Sequence, residues 1–461
     1  MNVARRVLPD APARRGWCPS LARPMPTGDG LLARIHPPLG ILTPAQARAV
    51  AEGARRFGNG HIDVTARANL QIRGVTELTR APLAALLDGA SLGDVRADGG
   101  PQRLTLTSPL AGPEVLALAR AIEAVGLGIR RLPAKALVTI ERAPLPRPVV
   151  APGPGSPCAD APGVRERVGG LSATDADIRL LIIDEDTTPC PGRATGTIDP
   201  CSLALALAGP DGPEWFVSMT PREAIAAIEA ALQTLAASGA RRLRDLPPAL
   251  RTGLLNRLGP AALPPRPDAS ASLIPGLTEL ADGSTSILVD APFGRCGADA
   301  LDRLADHAEA LASDLHLSPS RGFVLVTANL GGARHAGDAL SRLGFITRAD
   351  DPRSAVAACP GAPACASGST ATLADAARLA EAFQPFAARG LRAHVSGCSK
   401  GCAHPAAADL TLVGNDGLYG IVLGGPPSPM PAMRLTFEAA LERLRRADPS
   451  QALAPAFRIQ P

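Results

Sequence analysis

The chain has 461 residues, with 47 basic and 43 acidic side chains, a formal net charge of +4 and 46% apolar residues. At about 150 residues per domain this length suggests roughly three domains, and the globular composition excludes disordered and collagen-like chains. The small net charge and the 3% aromatic content argue against nucleic acid as a partner, because single strands are bound by cationic grooves and aromatic stacking. We find neither an apolar run long enough for a membrane span nor a secretory signal, and therefore expect a cytoplasmic protein.

The first predicted elements are a helix and a strand. Thr43-Pro44-Ala45-Gln46 has the pattern of a capping box with proline at the first helical position, and the helix is expected to end before Gly58. Apolar and polar residues then alternate over 64–73, which predicts one strand. A loop, a helix to about Val125 and a strand over 129–141 follow.

The polar face of the predicted strand 64–73 carries Thr65, Arg67, Asn69, Gln71 and Arg73. A solvent-facing strand would show the same alternation, so the pattern alone leaves its role open. This face has no acidic residue to pair the arginines, and the planar fork of arginine suits carboxylates. We therefore expect a ligand with several carboxylates, in a site extended by cations near the ends of neighbouring strands: Arg34, Arg103, Arg130, Arg131 and Lys135.

The middle of the chain, 143–270, opens with a Pro/Gly-rich stretch that is typical of a linker. It contains one clear helix, which starts at a second capping box, Thr220-Pro221-Arg222-Glu223, and ends at Gly239. No catalytic motif is recognisable there.

Residues 290–331 repeat the order of 36–74, with a Pro-x-Gly segment, a helix and a strand, and 324–332 shares Ala-Asn-Leu with 64–72. A cysteine-containing loop, a helix over 373–388 and a strand within 391–402 then follow, in parallel with the first copy. Chance similarity between two βαβ units would produce the same order of elements. A true duplication implies two similar halves around a pseudo-two-fold axis, with a site at their junction.

Four of the nine cysteines form two close pairs, Cys359 with Cys365 and Cys398 with Cys402. An odd number of cysteines in a cytosolic chain argues against a disulfide framework. Four paired thiolates are a metal ligand set, and the five residues inside the first pair exceed the usual two to four of a zinc knuckle. The spacing favours an iron–sulfur cluster over zinc or unrelated thiols, and Gly361, Gly397 and Gly401 leave backbone N–H groups beside the sulfurs.

The paired cysteines, the duplicated unit and the segment TARANLQIRG (65–74) together resemble the sulfite and nitrite reductase superfamily, over roughly 25–141 and 285–425. The resemblance implies an α+β fold with a duplicated architecture, in which two ferredoxin-like half-domains and two α/β modules are related by a pseudo-two-fold axis. It also implies a tetrapyrrole with many carboxylates beside a 4Fe-4S cluster, whose ligands would be Cys359, Cys365, Cys398 and Cys402.

The expected domains are an N-terminal arm (1–22), a first ferredoxin-like half-domain (23–90), a first α/β module (91–150), a linker and helical connecting segment (151–270), a second ferredoxin-like half-domain (271–348) and a 4Fe-4S-binding α/β module (349–461).

Within this superfamily, three stretches are similar to the monooxygenases that prepare ring contraction in aerobic cobalamin biosynthesis: 18–34, 132–137 and 394–405. In 132–137, Lys135 matches a substrate lysine of the reductases, but Leu137 replaces a second lysine of the sulfite enzymes, which weakens the case for a small dianion. The resemblance implies precorrin-3A as substrate, hydroxylated at C20 with closure of a γ-lactone. The reaction would use O2 and two electrons that come from NADH through a reductase partner.

By this resemblance, the substrate carboxylates would be bound by Arg34, Arg67, Arg73, Arg103, Lys135 and Lys400. The family also implies a further, mononuclear non-haem iron; His394 and His404 are weak candidates for its ligands, and no catalytic residue is identified. Two alternatives stay open. One is a sirohaem-dependent sulfite or nitrite reductase, and the other is a non-catalytic four-thiolate zinc scaffold that binds an acidic partner.

Overall fold

The computed structural model describes residues 18–142, 175–183, 202–259, 273–428, 431 and 433–457, and all structural statements below concern these residues. They form four five-stranded sheets with helices packed against them, which confirms the predicted α+β class. None of the described helices is both long enough and apolar enough to cross a membrane.

The strands in chain order are β1 (Met25–Thr27), β2 (Gly30–Ile35), β3 (Ile41–Leu42), β4 (His61–Val64), β5 (Leu70–Val75), β6 (Thr105–Thr107), β7 (Val138–Arg142), β8 (Ile178–Ile183), β9 (Ser202–Ala208), β10 (Pro213–Met219), β11 (Gly276–Glu279), β12 (Thr285–Asp290), β13 (Arg295–Gly297), β14 (Leu315–Ser318), β15 (Gly322–Thr327), β16 (Val356–Ala358), β17 (Ala393–Ser396), β18 (Ala408–Asn415), β19 (Leu418–Gly425) and β20 (Met433–Leu435). The helices are α1 (Pro44–Phe57), α2 (Arg80–Gly89), α3 (Pro113–Gly128), α4 (Pro221–Ser238), α5 (Pro248–Leu258), α6 (Ala298–Ala310), α7 (Leu330–Arg342), α8 (Thr372–Ala387) and α9 (Phe437–Arg446).

The two half-domains have matching antiparallel sheets, with the orders β1–β2–β5–β4–β13 and β11–β12–β15–β14–β3. Each sheet contains one strand contributed by the other half, because β3 pairs with β14 and β13 pairs with β4. Each exchanged strand follows a single 3-10 turn, Pro38–Gly40 or Pro292–Gly294, whose middle residue has a left-handed backbone: φ is 54° at Leu39 and 56° at Phe293. One apolar core joins both halves. The predicted duplication is therefore confirmed.

Helix α1 begins as the sequence predicts. The Thr43 hydroxyl accepts a hydrogen bond from the Gln46 backbone N–H at 3.2 Å, and the Gln46 side chain accepts one from the Thr43 N–H at 3.0 Å. This reciprocal pairing satisfies two N–H groups that a helix start leaves without partners. Helices α1 and α6 pack together at the junction of the two half-domains, where Arg48 and Arg55 of α1 form ion pairs with acidic residues of α6.

The first α/β module has the sheet order β10–β9–β8–β7–β6. Three of these strands, with α4 and α5, come from 151–270, which the sequence analysis assigned to a linker and helical connecting segment. The predicted helix is present as α4, with its capping box at Thr220 and a left-handed Gly239 at its end. Strand β9 was missed because SLALALA is buried on both faces, and such a strand lacks the alternation that marks a half-buried one.

The second α/β module has the order β16–β17–β18–β19–β20, in which the first three strands are parallel. Helices α8 and α9 cover this sheet over a separate apolar core. The helix predicted over 373–388 is α8, and the strand predicted within 391–402 is the shorter β17.

The prediction of one strand over 64–73 is wrong. Strand β4 ends at Val64, β5 begins at Leu70, and the residues between them form a hairpin turn. The Thr65 N–H donates to the Asn69 carbonyl and the Ala68 N–H to the Thr65 carbonyl, each at 2.9 Å. Ala68 has a φ of 50°, and no glycine or proline marks this turn in the sequence. The proposed match with 324–332 also fails, because those residues end β15 and start α7.

Candidate active site

The paired cysteines lie where parallel strands end. Cys359 directly follows β16 and Cys398 lies two residues beyond β17, and these two strands are parallel neighbours. The carboxyl ends of parallel strands share one edge of a sheet, so both cysteine loops start from the same edge. Cys359, Cys365, Cys398 and Cys402 all line one cavity of about 980 Å³, at the upper end of the range of roughly 300–1,000 Å³ for small-molecule sites.

The two cysteine loops pack closely through glycine. A Cβ atom at Gly397 would lie 3.1 Å from the Gly361 Cα, and one at Gly361 would lie 2.3 Å from the Thr372 Oγ1. The Gly397 N–H donates a hydrogen bond to the Cys359 sulfur at 3.2 Å. The prediction that bare backbone beside the cysteines bonds to sulfur is confirmed at this position.

The four thiols lie within electrostatic range of one another. Burial raises the pKa of Cys398, and the nearby Cys359 and Cys365 raise it further, while Lys400 opposes them. Cys402 interacts with the same three thiols. Among the residues that the structure describes, no three His, Cys, Asp or Glu side chains converge as the ligands of a single metal ion would. The thiols instead surround a common space.

The half-domains contribute further residues to the lining of this cavity. Arg34 of β2, Arg67 and Asn69 of the β4–β5 turn, and Gln71 of β5 all line it. The first half-domain also touches the first cysteine loop, where the Gly28 N–H donates to the Ala364 carbonyl at 3.1 Å. These half-domain residues, called the arginine wall below, and the four cysteines thus line one cavity.

Arg73 lines the same cavity, but its charge is already paired. Its guanidinium bonds both oxygens of Asp29, at 2.8 and 3.0 Å, lies 3.4 Å from Asp63 and donates to the Ala364 carbonyl. The expectation that no acid pairs the arginines is therefore wrong, because Asp29 comes from the β1–β2 turn and Asp63 from β4. Arg73 therefore links the first half-domain to the first cysteine loop.

Arg34 and Arg67 differ from Arg73, because no carboxylate is among their described partners. With its amide oxygen turned towards Arg34, Gln71 accepts two hydrogen bonds, from Nη2 at 2.8 Å and Nε at 3.1 Å. Both terminal nitrogens of Arg67 point to the Lys135 carbonyl, each at 3.3 Å. Burial lowers the pKa of both Arg34 and Arg67. The guanidinium of Arg67 lowers the pKa of Arg34 further, and the guanidinium of Arg242 lowers the pKa of Arg67 further. An anion between these groups would relieve the repulsion.

Arg103 supports the turn that carries Arg67. It donates to the carbonyls of Pro37 at 3.2 Å, of Ala68 at 2.9 Å and of Arg67. Burial lowers its pKa to about 10. Arg103 lines a neighbouring cavity of about 610 Å³, which shares Arg34, Arg67 and Asn69 with the main one.

The two lysines have different positions. Lys400 lines the main cavity beside the second cysteine pair. Lys135 is exposed, and its side chain lines neither the main nor the neighbouring cavity. Its backbone carbonyl accepts hydrogen bonds from Arg67 and Arg242. Leu137 is 3% exposed and lines the neighbouring cavity.

Sequence analysis missed two arginines of the second half-domain. Arg321 lies in the β14–β15 turn, which corresponds in topology to the turn of Arg67, lines the main cavity and donates to the Ala403 carbonyl at 3.0 Å. Arg295 of β13 bonds Asp63 at 2.6 Å. The internal repeat was the available signal, and aligning hairpin with hairpin would have found Arg321. The candidate His394 is fully buried, packs against His404 at 5.9 Å and does not line the main cavity.

Comparison with known proteins agrees with this arrangement. Residues 23–90 match the ferredoxin-like half domain of nitrite and sulfite reductases. The solved structure of the Mycobacterium tuberculosis NirA protein has the same fold, with a TM-score of 0.64 and 19% identity, over 90% of this chain and 80% of that chain. A ferredoxin–nitrite reductase of Leptolyngbya laminosa is 34% identical over 104 residues, which is 22% of this chain and 20% of its own length. The fold is thus that of the nitrite and sulfite reductase superfamily.

One relative matches almost the full length. A precorrin-3B synthase from Sinorhizobium sp is 33% identical over 431 residues, which covers 92% of this chain and 85% of that protein. The chain belongs to the precorrin-3B synthase family and is an oxidoreductase.

Proposed function

We propose that the protein converts precorrin-3A into precorrin-3B, as an O2-dependent monooxygenase that hydroxylates C20 and closes a γ-lactone with the ring-A acetate. Two electrons would come from NADH through a separate reductase. The observation that carries this proposal is the single cavity between an arginine wall and four cysteines, in a chain that matches a precorrin-3B synthase over 92% of its length.

The arginine wall supports the choice of substrate. A reduced tetrapyrrole carries carboxylates around its rim, and charge-assisted hydrogen bonds from guanidinium groups fix such a ligand in one orientation. Arg34 and Arg67 are placed for this role because both line the cavity and neither is ion-paired among the described contacts. Lys400 adds a cation near the cysteines. Arg73 lines the cavity with its charge paired, and Arg103 bonds the turn that carries Arg67.

The cysteines support an iron–sulfur cluster. The four thiols line one cavity, and the Gly397 N–H already bonds one sulfur, so the donor set fits a 4Fe-4S cluster, which four cysteine thiolates hold. Cys359, Cys365, Cys398 and Cys402 would hold this cluster, which when bound supplies electrons one at a time.

The residue at position 137 favours this function over sulfite reduction. Leu137 lines the neighbouring cavity. By the resemblance, the sulfite enzymes have a second lysine at this position. A buried leucine gives no charge to bind a small dianion. The described residues include no three-residue group for the expected mononuclear iron, and no step of our proposal depends on it.

The test is turnover of anaerobically purified protein with precorrin-3A, a reductant and isotopically labelled O2. We expect a product heavier by one labelled oxygen atom in the mass spectrum. Cys402→Ala should abolish turnover and lower the iron and sulfide content, whereas Cys296→Ala, at a buried cysteine outside the cavity, should retain both. Wild-type protein that contains the cluster but gives no oxygenated product would refute the proposed function. An intense haem spectrum and sulfite or nitrite reduction would favour the reductase instead.

A further inference from the structure

A small cavity of about 280 Å³ adjoins the main one. The two cavities share the wall residues Ala66, Phe293, Gly294, Arg321, Ala358 and Ala403. At about 30 Å³ per water molecule, the small cavity has room for several. It can therefore hold water molecules beside the main cavity.

Asp290, at the end of β12, is the one carboxyl group that lines this small cavity among the described residues. The Ser320 hydroxyl donates to the Asp290 Oδ1 at 2.6 Å, and the Ser318 hydroxyl lies 2.7 Å from that of Ser320. These contacts form a short row of groups that can exchange protons.

The other charged or titratable groups that line the small cavity are Arg321, Arg353, Arg392 and His404. Arg321 donates to the Ala403 carbonyl, and Arg353 is paired with Asp351 at 2.6 Å. No described ion pair involves Asp290. Burial raises the pKa of Asp290 to about 7, and the hydrogen bond from Ser320 opposes this rise. A carboxyl group of this kind is protonated for part of the time at neutral pH.

The proposed reaction consumes protons. In the net balance, the substrate, O2, two electrons and two protons give a product with one more oxygen atom and one water molecule. Asp63 is the one carboxyl group among the described residues of the main cavity wall, and it is ion-paired with Arg73 and Arg295. Both carboxylate oxygens of Asp63 are occupied by these ion pairs, so we expect the protons to come from another source.

We propose, building on the function above, that Asp290 supplies these protons through Ser320 and the small cavity. In each turnover the O–H bond of the Asp290 carboxyl breaks twice, with reprotonation in between, and both protons move to the oxygen atom that leaves as water. The electrons come from the reductase partner, and the Asp290 carboxylate takes its next proton from solvent. Asp290 does not touch the substrate and acts through the intervening groups.

The first test needs no turnover. Infrared difference spectra of the purified protein should show a protonated carboxyl band that is lost as the pH rises through about 7. This band should be absent from Asp290→Asn, a variant of the same shape. The matched control is Asp282→Asn, because Asp282 also accepts a serine hydroxyl hydrogen bond at 2.6 Å, from Ser284, but is exposed. A band that persists in Asp290→Asn would overturn the assignment.

The second test is the pH dependence of turnover. The wild-type rate should fall as the pH rises through about 7, since the donor is then deprotonated. Asp290→Asn should be slower by roughly tenfold or more, lack this fall and consume more reductant per oxygen atom incorporated. Ser320→Ala interrupts the proposed proton path and should therefore slow turnover. It also removes the hydrogen bond that stabilises the carboxylate, so the fall should move to higher pH.

The outcomes separate the two proposals. If wild-type protein oxygenates precorrin-3A and Asp290→Asn keeps the same rate and pH profile, the proton-supply role is wrong while the function stands. If wild-type protein makes no oxygenated product, the function itself fails.

Discussion

Replacing Arg67 tests whether the turn between β4 and β5 binds a carboxylate of the substrate. Arg67 lines both cavities, and its terminal nitrogens reach the Lys135 carbonyl at 3.3 Å, which is long for a hydrogen bond. A hydrogen bond to a charged group contributes about 1.5–3 kcal/mol. At about 1.4 kcal/mol per tenfold change, Arg67→Ala should raise the Kd for precorrin-3A by about 10- to 150-fold.

The assay is an anaerobic binding titration, which separates affinity from turnover. Arg67→Lys keeps the charge without the planar fork and should lose less affinity. The control is Arg348→Ala, since Arg348 is 75% exposed and pairs with Asp350. An unchanged Kd in a folded, cluster-containing Arg67→Ala protein would refute the carboxylate role.

Three further changes test the surroundings of the site. Arg73→Ala should lower the free energy of unfolding by about 3–5 kcal/mol in urea denaturation, because it leaves the largely buried Asp29 without its ion-pair partner and removes one of the two partners of Asp63. Gly397→Ala would place a Cβ 3.1 Å from Gly361 and should reduce iron and sulfide content in metal analysis, whereas Gly337→Ala, with open space around it, should not. Burial raises the pKa of Asp290 from 3.8 to about 7, so the folded state holds one more proton between these values. Its contribution to unfolding free energy should then fall by about 1.4 kcal/mol per pH unit as the pH rises, and Asp290→Asn should remove this fall in urea unfolding between about pH 5 and pH 7.

Each of these expectations has a contrary result. Wild-type stability in Arg73→Ala would mean that its ion pairs contribute nothing. A full cluster content in Gly397→Ala would mean that the loops can separate at no cost. An unchanged pH slope in Asp290→Asn would mean that this carboxyl group is already ionised in the folded protein.

Local patterns in the sequence predicted the features that depend on neighbours along the chain. The capping boxes at Thr43 and Thr220 define the starts of α1 and α4, because their partners lie three residues away. The two cysteine pairs were recognised for a similar reason. Each pair is local, and the parallel strands before them then bring the pairs together.

Features that depend on distant partners could not be predicted in this way. The alternation over 64–73 fits one strand as well as a hairpin, and only the pairing of β4 with β5 distinguishes them. The exchange of β3 and β13 between the half-domains leaves no local signal in strands of two and three residues. Likewise, the partners of Arg73 lie 44 and 10 residues away, so a search for acids on its own face missed them.

The strand exchange explains why Arg73 and Arg67, which both lie in the segment 64–73, have different contacts. Because β13 is built into the first half-domain's sheet, Arg295 reaches Asp63, which also pairs with Arg73. Arg73 in turn bonds the Ala364 carbonyl in the first cysteine loop. These contacts link the exchanged strand to the first cysteine loop, and they occupy the charge of Arg73. Under the proposed function we therefore expect the arginines outside this network to bind the ligand. Arg34 and Arg67 both line the two cavities with no carboxylate among their described contacts, and Arg67 lies on the β4–β5 turn.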